Sequence, residues 1–220
     1  MVLVDEAHWN THTAQELYEP LTRLLSRGGY RVRRNRQPLV PELLLTYQIL
    51  VVANPRGLHG LRFDGSALTS SEIEAVQSWV QTGGGLLLIA DREPSIAATR
   101  PLTASFGVDI ADGTAGAVGG EVSGAALVHP IRLGRNERNE QVKRLVMFPG
   151  PALHSRRPAV EFISSRAAAM ESGRGRVVVL TDAEALTAQV VDGKPRGINT
   201  PDANNGQLAL NILNWLSKLI

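Results

Sequence analysis

Apolar and polar positions alternate along this chain in blocks of two kinds. Short, continuously apolar runs appear in "MVLVDE", "YQILVVANP", "LLLIA" and "GRVVVLTD". Runs of four to six such residues with no polar alternation suit strands covered on both faces, as in a parallel sheet. "YRVRRN" alternates instead, as a strand with one wet face does. Between the runs, apolar residues recur at helical spacing: Leu17, Leu21, Leu24 and Leu25; then Ile73, Val76, Trp79 and Val80; and near the end Leu208, Ile212, Trp215, Leu216 and Leu219. Strands are expected near Val2–Asp5, Tyr30–Arg34, Ile49–Asn54, Leu86–Ala90 and Val177–Thr181. Alternation of such strands with amphipathic helices predicts an α/β fold, a doubly wound, mostly parallel sheet with the first strand central.

Helix ends sharpen the boundaries. Pro20 would break a helix begun at Thr13 and Glu16, so the first helix should be entered at the proline, leaving "HWNTH" in a loop. Ser71 and Glu74 have capping-box spacing, and Gly83 to Gly85 stop the helix that follows. A further helix is expected over Ile96–Phe106. From about Val108 to Arg166 the pattern changes. Glycine and alanine are frequent, helical periodicity fades, and the apolar runs are short ("ALVHPI", "RLVMF", "AVEFI"). This reads as a small β-rich insertion within one α/β domain spanning 1–220, since about sixty residues are near the lower limit for independent folding.

With 43% hydrophobic and 20% charged residues and a net charge of +2, the 220 residues read as a soluble globule. No stretch has the apolar length to cross a bilayer and the N-terminus does not read as a signal peptide, so the expectation is a cytoplasmic protein off the membrane. The basic residues are mostly scattered arginines. In "RVRRNR" strand alternation sends most of the charge to solvent, and nucleic acid is not an expected partner. The absence of cysteine excludes disulfides, thiolate metal sites and a cysteine nucleophile. "DEAHWNTH" has no glycine, which argues against a dinucleotide turn after the first strand. Nothing in the sequence opposes a homo-oligomer.

In parallel sheets ligands sit beyond the carboxyl ends of the strands. There the first strand delivers Asp5, Glu6, His8, Asn10 and His12, the third Asn54, the fourth Asp91, and the late strand Glu184. The loop before the last helix adds Asn199 and Asn205. The expected catalytic set is Glu6, His8, Asp91 and Glu184, converging on one pocket; the expected binding set is Asp5, Asn10, His12, Asn54, Asn199 and Asn205. His8 and His12 have the spacing of a two-histidine divalent-metal pair if a helical turn joins them. Trp9 is placed either to stack on a sugar ring or to pack against the first helix. His59, His129 and His154 fall in expected loops and receive no role.

"WVQTGGGLLLIADREP" resembles the helix, glycine turn and strand that lead to the nucleophile of class I glutamine amidotransferase-like domains. "GRGRVVVLTDAEA" and "NGQLALNILNWLS" resemble the end of that domain. "DEAHWNTH", "SSEIEAVQSWVQTGGGLLLIAD" and "GINTPDANNGQLALNILNWL" together resemble a bacterial branch related to the GIFT-type domain of intraflagellar-transport proteins. "HPIRLGR" is similar to a turn in ThuA-like proteins. The resemblance implies a flavodoxin-like fold. Where it implies a cysteine nucleophile this chain has Ala90-Asp91-Arg92, so glutaminase chemistry by that route is excluded.

Two functions are therefore expected. One is a hydrolase or lyase acting on a small polar substrate through acid–base or metal-assisted chemistry, with Glu6 or Glu184 as base, His8 as proton carrier, and Asp91 orienting water or acting as nucleophile. The other is a non-catalytic module that binds a carbohydrate or other small ligand, or a protein partner.

Overall fold

Each continuous apolar run forms a strand. The computed structural model describes residues 1–57, 65–111, 120–123, 129–134, 141–156, 160–163 and 165–220. Seven strands make the main sheet: β1 (Val2–Asp5), β2 (Val32–Asn35), β3 (Ile49–Ala53), β4 (Gly85–Ile89), β5 (Val160–Ile163), β6 (Ala167–Ser172) and β7 (Gly175–Leu180), in the spatial order β2-β1-β3-β4-β7-β6-β5. The first five in that order run parallel, and β6 and β5 continue the sheet antiparallel. Among the parallel strands this is the flavodoxin-like order, which reverses between β1 and β3. The first strand is paired on both sides but is not central, because β2 closes the sheet beside it; β4 is the middle strand.

Among the described residues, four helices longer than one turn cover the faces: α1 (Glu19–Arg27), α2 (Ser70–Gln81), α3 (Ser95–Ser105) and α4 (Asn205–Leu216). Successive strand side chains point to opposite faces, so two cores form. Val4, Val51, Leu87 and Val178 meet α1 and α4 on one face, and Leu3, Val52, Leu88 and Val177 meet α2 and α3 on the other. Trp79 and Trp215 are buried, one in each core. Leu219 lies beyond the end of α4 and is exposed, so it is not part of that helix's inner face.

Pro20 sits in the first turn of α1, as expected, and Gly83 (φ +128°) follows the end of α2. The next glycine is required for another reason. A Cβ on Gly84 would lie 2.4 Å from the Trp79 ring, so the helix and β4 pack too closely for any side chain there. The capping box forms two residues earlier than expected. Thr69 accepts from the backbone of Glu72, whose carboxylate returns to the backbone of Thr69, and Ser71 and Glu74 are bystanders.

Within the expected insertion, Val108–Ile110 pairs with Leu153–Ser155 and Gly120–Ser123 with Arg144–Met147, both antiparallel. "AVEFI" supplies β5, the edge of the main sheet. In "ALVHPI" the expected strand is replaced where described by a short helical turn, Pro130–Leu133. His59 lies outside the described residues. No described helix is long and apolar enough to cross a membrane.

Candidate functional site

The carboxyl ends of the parallel strands carry three groupings of polar side chains. The first is built on Asp5, the last residue of β1. His8 Nδ1 donates to Asp5 Oδ2 at 2.7 Å and Nε2 donates to Glu72 Oε1 at 3.0 Å. With a carboxylate on each ring nitrogen, both nitrogens must carry protons, so His8 is an imidazolium. Burial by itself disfavours that charge, but the hydrogen bonds to Asp5 and Glu72 prevail and push the ring up to about 9. For Glu72, burial is outweighed by donors from His8, Thr69 and Leu39, which hold it at about 2. The remaining acceptors are used too. Asp5 Oδ1 takes the Ala7 amide and Asn35 Nδ2, while Glu72 also takes the Leu39 amide, the Thr69 amide and the Thr69 hydroxyl. A cleft of about 440 Å³ opens beside this cluster, lined by His8, Gln37, Leu39, Val40, Ala67 and Thr69 among others.

Glu6 goes elsewhere. Its carboxylate accepts from Arg34 Nε at 2.8 and 2.9 Å, from Arg36 at 3.5 Å and from the Ala14 amide at 3.0 Å. Burial pushes it up, yet Arg34, the Ala14 amide and Arg36 hold it below its ordinary value. The expected convergence of Glu6 and His8 with Asp91 and Glu184 is thus not what the fold produces. Arg34 on the neighbouring edge strand β2 captures Glu6, while His8 turns to Asp5 and Glu72.

The third grouping unites β1, β3, β4 and the turn after β7. Asn54, just past β3 at φ +45°, is fully buried, and its two side-chain ends grip Asp91 just past β4. Asn54 Nδ2 donates to Asp91 Oδ1 at 2.9 Å, and Asn54 Oδ1 accepts the Asp91 amide at 3.1 Å. Asp91 Oδ1 also accepts Arg92 Nε, and Oδ2 accepts the Ala183 amide, each at 2.9 Å. Arg92 reaches on to Glu184 Oε1 at 2.8 Å, and Gln189 holds Glu184 Oε2 at 2.8 Å. Burial alone would raise Asp91, but Arg92, the Ala183 amide and Asn54 lower it below its ordinary range.

His12 closes this grouping from the β1 loop. Its Nδ1 lies 3.3 Å from Asn54 Nδ2 and 3.1 Å from the Thr11 hydroxyl, and its ring rests 4.9 Å from that of Tyr18. Tyr18 donates to the Ala183 carbonyl at 3.3 Å. Burial lowers the His12 pKa against the pull of Asp91 and Glu184, so the ring is neutral near pH 7. His12 is 2% exposed, and its Nε2 has no hydrogen-bond partner although Glu184 Oε1 is only 3.9 Å away. Arg92 and Glu184 form the outward edge, with side chains 55% and 19% exposed.

The other expected residues serve the chain itself. Asn10 accepts from the His8 amide and donates to the Ala53 carbonyl. Asn205 ties both backbone groups of Val146 and the Ala185 carbonyl. Asn199 is exposed on the Gly197–Asn199 turn, in a separate groove with Glu19 and Arg23. Trp9 is 56% exposed and so is not core packing. Its φ of +54° also interrupts any helical turn between His8 and His12. The two histidines face different clusters, and among the described residues no group of three or more His, Asp and Glu is placed to hold a metal ion. The sequence singles out neither Glu72 nor Tyr18, and it places Arg92 at the crevice without a role. The Thr69–Glu72 spacing was the available signal for the first, and Arg92 follows Asp91 directly; nothing local marked Tyr18.

A doubly wound, flavodoxin-like sheet with a polar cluster beside its switch point defines the architecture. Comparison with protein-family models and with curated protein sequences finds no match. Similar solved structures include the mmIFT52 N-terminal domain (16% identity, TM-score 0.73, covering 99% of this chain and 97% of that one). A cytoplasmic protein from Salmonella typhimurium is also similar (14%, TM-score 0.58, 98% of each chain). So is a putative ThuA-like protein from Parabacteroides merdae (13%, TM-score 0.54, 98% of this chain and 88% of that one). At these identities the likeness is one of fold alone, a flavodoxin-like α/β architecture that this chain shares with ThuA-like proteins.

Proposed function

We propose that this chain binds a small polar ligand over the strand ends, at the grouping of His12, Asn54, Asp91, Arg92 and Glu184. One observation carries the reading. Four separate chain segments deliver these side chains into one connected set beside the switch point, with buried members beneath and Arg92 and Glu184 at its open edge. The carboxyl ends of the strands beside the switch point are where doubly wound sheets bind their ligands. His8 and Glu6, whose hydrogen-bonding atoms are engaged by internal partners, are left to structural roles.

Catalysis is the second reading, and His12 favours it. A neutral buried imidazole with a spare nitrogen can donate to an oxygen on which charge develops, while Glu184 accepts a proton. Against it, both oxygens of the Glu184 carboxylate already accept hydrogen bonds, one from Arg92 and one from Gln189. Binding is the better-supported function, with hydrolysis of a small polar substrate the activity to test beside it. The ordered motif set and the likeness to the mmIFT52 N-terminal domain support placing the chain, as a cysteine-free member, in the bacterial branch related to GIFT-type domains. We further assign it to the cytoplasm.

The test is a thermal-shift screen of small amides, hydroxy acids, amino acids and polyols on the wild-type protein and on Arg92→Ala and Glu184→Ala. At least one compound should raise the wild-type melting temperature and leave both variants unmoved. A screen in which no compound separates wild type from the variants sinks the proposal. Chromogenic ester, amide and glycoside substrates, run with and without chelator, test the second reading. Turnover lost in Glu184→Gln supports catalysis, and turnover unchanged in that variant removes it.

A further inference from the structure

The unpartnered nitrogen of His12 has a definite polarity, which Asn54 fixes. Asn54 cannot be flipped. Reversing its amide would set Oδ1 against the Asp91 carboxylate and Nδ2 against the Asp91 amide, two repulsive contacts in place of two hydrogen bonds. The second Nδ2 hydrogen therefore faces His12 Nδ1 at 3.3 Å, which makes Nδ1 an acceptor, and the Thr11 hydroxyl at 3.1 Å can turn its own hydrogen to the same nitrogen. A neutral ring that accepts at Nδ1 carries its proton on Nε2. That N–H is buried without an acceptor, a costly arrangement if nothing fills it.

Glu184 Oε1 stands 3.9 Å from this nitrogen, too far for a direct hydrogen bond. An oxygen about 2.8 Å from each atom would subtend roughly 90° between them, within reach of a bent bridge. Such an oxygen must accept from Nε2–H and donate to a carboxylate, and a hydroxyl does both. A ligand carboxylate has no proton to give Glu184, and an ammonium has no lone pair for His12. Net charge agrees. Asp91, Glu184, Arg92 and neutral His12 sum to one negative charge, which disfavours anions, while the two acids are already matched by Arg92, Asn54, Gln189 and backbone donors.

We infer that His12 and Glu184 form a two-point seat for one hydroxyl group of a neutral ligand, which accepts from His12 Nε2–H and donates to Glu184, with Asn54 as the positioning residue that sets the donor. This rests on the ligand-site reading above and gives the ligand its chemical class.

Long-range proton–nitrogen NMR of histidine-labelled protein tests it in two stages. In the wild type at pH 7, His12 should be protonated on Nε2 and bare on Nδ1, and Asn54→Asp should reverse that assignment. If Asn54→Asp does not fold, Asn54→Ala should leave a mixture of tautomers. A wild-type ring protonated on Nδ1 overturns the inference at once. The second stage titrates glycerol, its fully O-methylated analogue, acetate and methylammonium. Glycerol should shift the His12 Nε2 resonance saturably, Glu184→Ala should weaken that response at least tenfold, and the other three probes should leave the resonance in place. A saturable response to acetate or methylammonium would overturn the hydroxyl seat while leaving the ligand site standing. No response to glycerol overturns the seat, and a failed thermal-shift screen removes the ligand site itself.

Discussion

His8 and His12 lie four residues apart in one loop, both buried and both beside carboxylates, yet they are in opposite states. His8 is charged, and both its nitrogens and both its partner carboxylates are satisfied. His12 is neutral and keeps one nitrogen unmet. Crowding of acids and histidines at a strand end therefore does not by itself mark a site. A saturated cluster behaves as a polar staple, here fastening the β1 loop to the first turn of α2. A cluster with spare hydrogen-bonding capacity can still take a ligand.

The largest expected effect tests the staple. His8→Ala leaves Asp5 and Glu72 buried without their shared cation, and should cost roughly 3–5 kcal/mol in urea unfolding. His12→Ala removes a buried neutral ring resting on Tyr18 and should cost about 1–2 kcal/mol. Equal costs, or the reverse order, would break the comparison.

The staple also has a pH signature. His8 is raised from 6.5 to about 9 in the folded protein, so its stabilisation is complete below about 6.5 and disappears as pH rises through about 9. Glu72 is lowered from 4.5 to about 2, so its contribution is complete above about 4.5 and is lost as pH falls through about 2. Both are fully present between about 4.5 and 6.5. Urea midpoints measured from pH 5 to 10 should fall at the alkaline end, and the part of that fall due to His8 should be missing in His8→Ala. An identical alkaline slope in the two proteins would show that His8 is not held as the cation.

Smaller effects separate the two capping alternatives. Thr69→Ala should cost about 1 kcal/mol by removing the cap of α2, whereas Ser71→Ala should stay within about 0.5 kcal/mol. The smallest effect belongs to the open edge. Arg92→Ala breaks pairs of which one partner is half in solvent, and should change stability by no more than about 1 kcal/mol. A loss as large as that for His8→Ala would make the His12 grouping a staple too.

The strands and helices were legible because each burial pattern has its own period. The continuous runs of β3, β4 and β7 admit little but a doubly covered sheet, and Trp79 and Trp215 could be assigned to the core from spacing alone. The end of the sheet at which polar groups collect followed from the parallel topology. The partners did not. Two overlapping capping boxes, Thr69–Glu72 and Ser71–Glu74, have the same local form, and the observed one also sets Glu72 within reach of His8, a residue 64 positions away.

Sequence by itself determined the kind of sheet, the helices that cover it, the lack of any thiol chemistry and the edge on which Asn54, Asp91 and Glu184 appear. Tertiary structure alone decided that Glu6 meets Arg34, that His8 is locked between two acids, and that His12 keeps a nitrogen free. Periodicity records which face of an element is buried. A hydrogen bond depends on direction and distance to within a few tenths of an ångström, and side chains far apart in the chain acquire those only when the strands that carry them are laid in register.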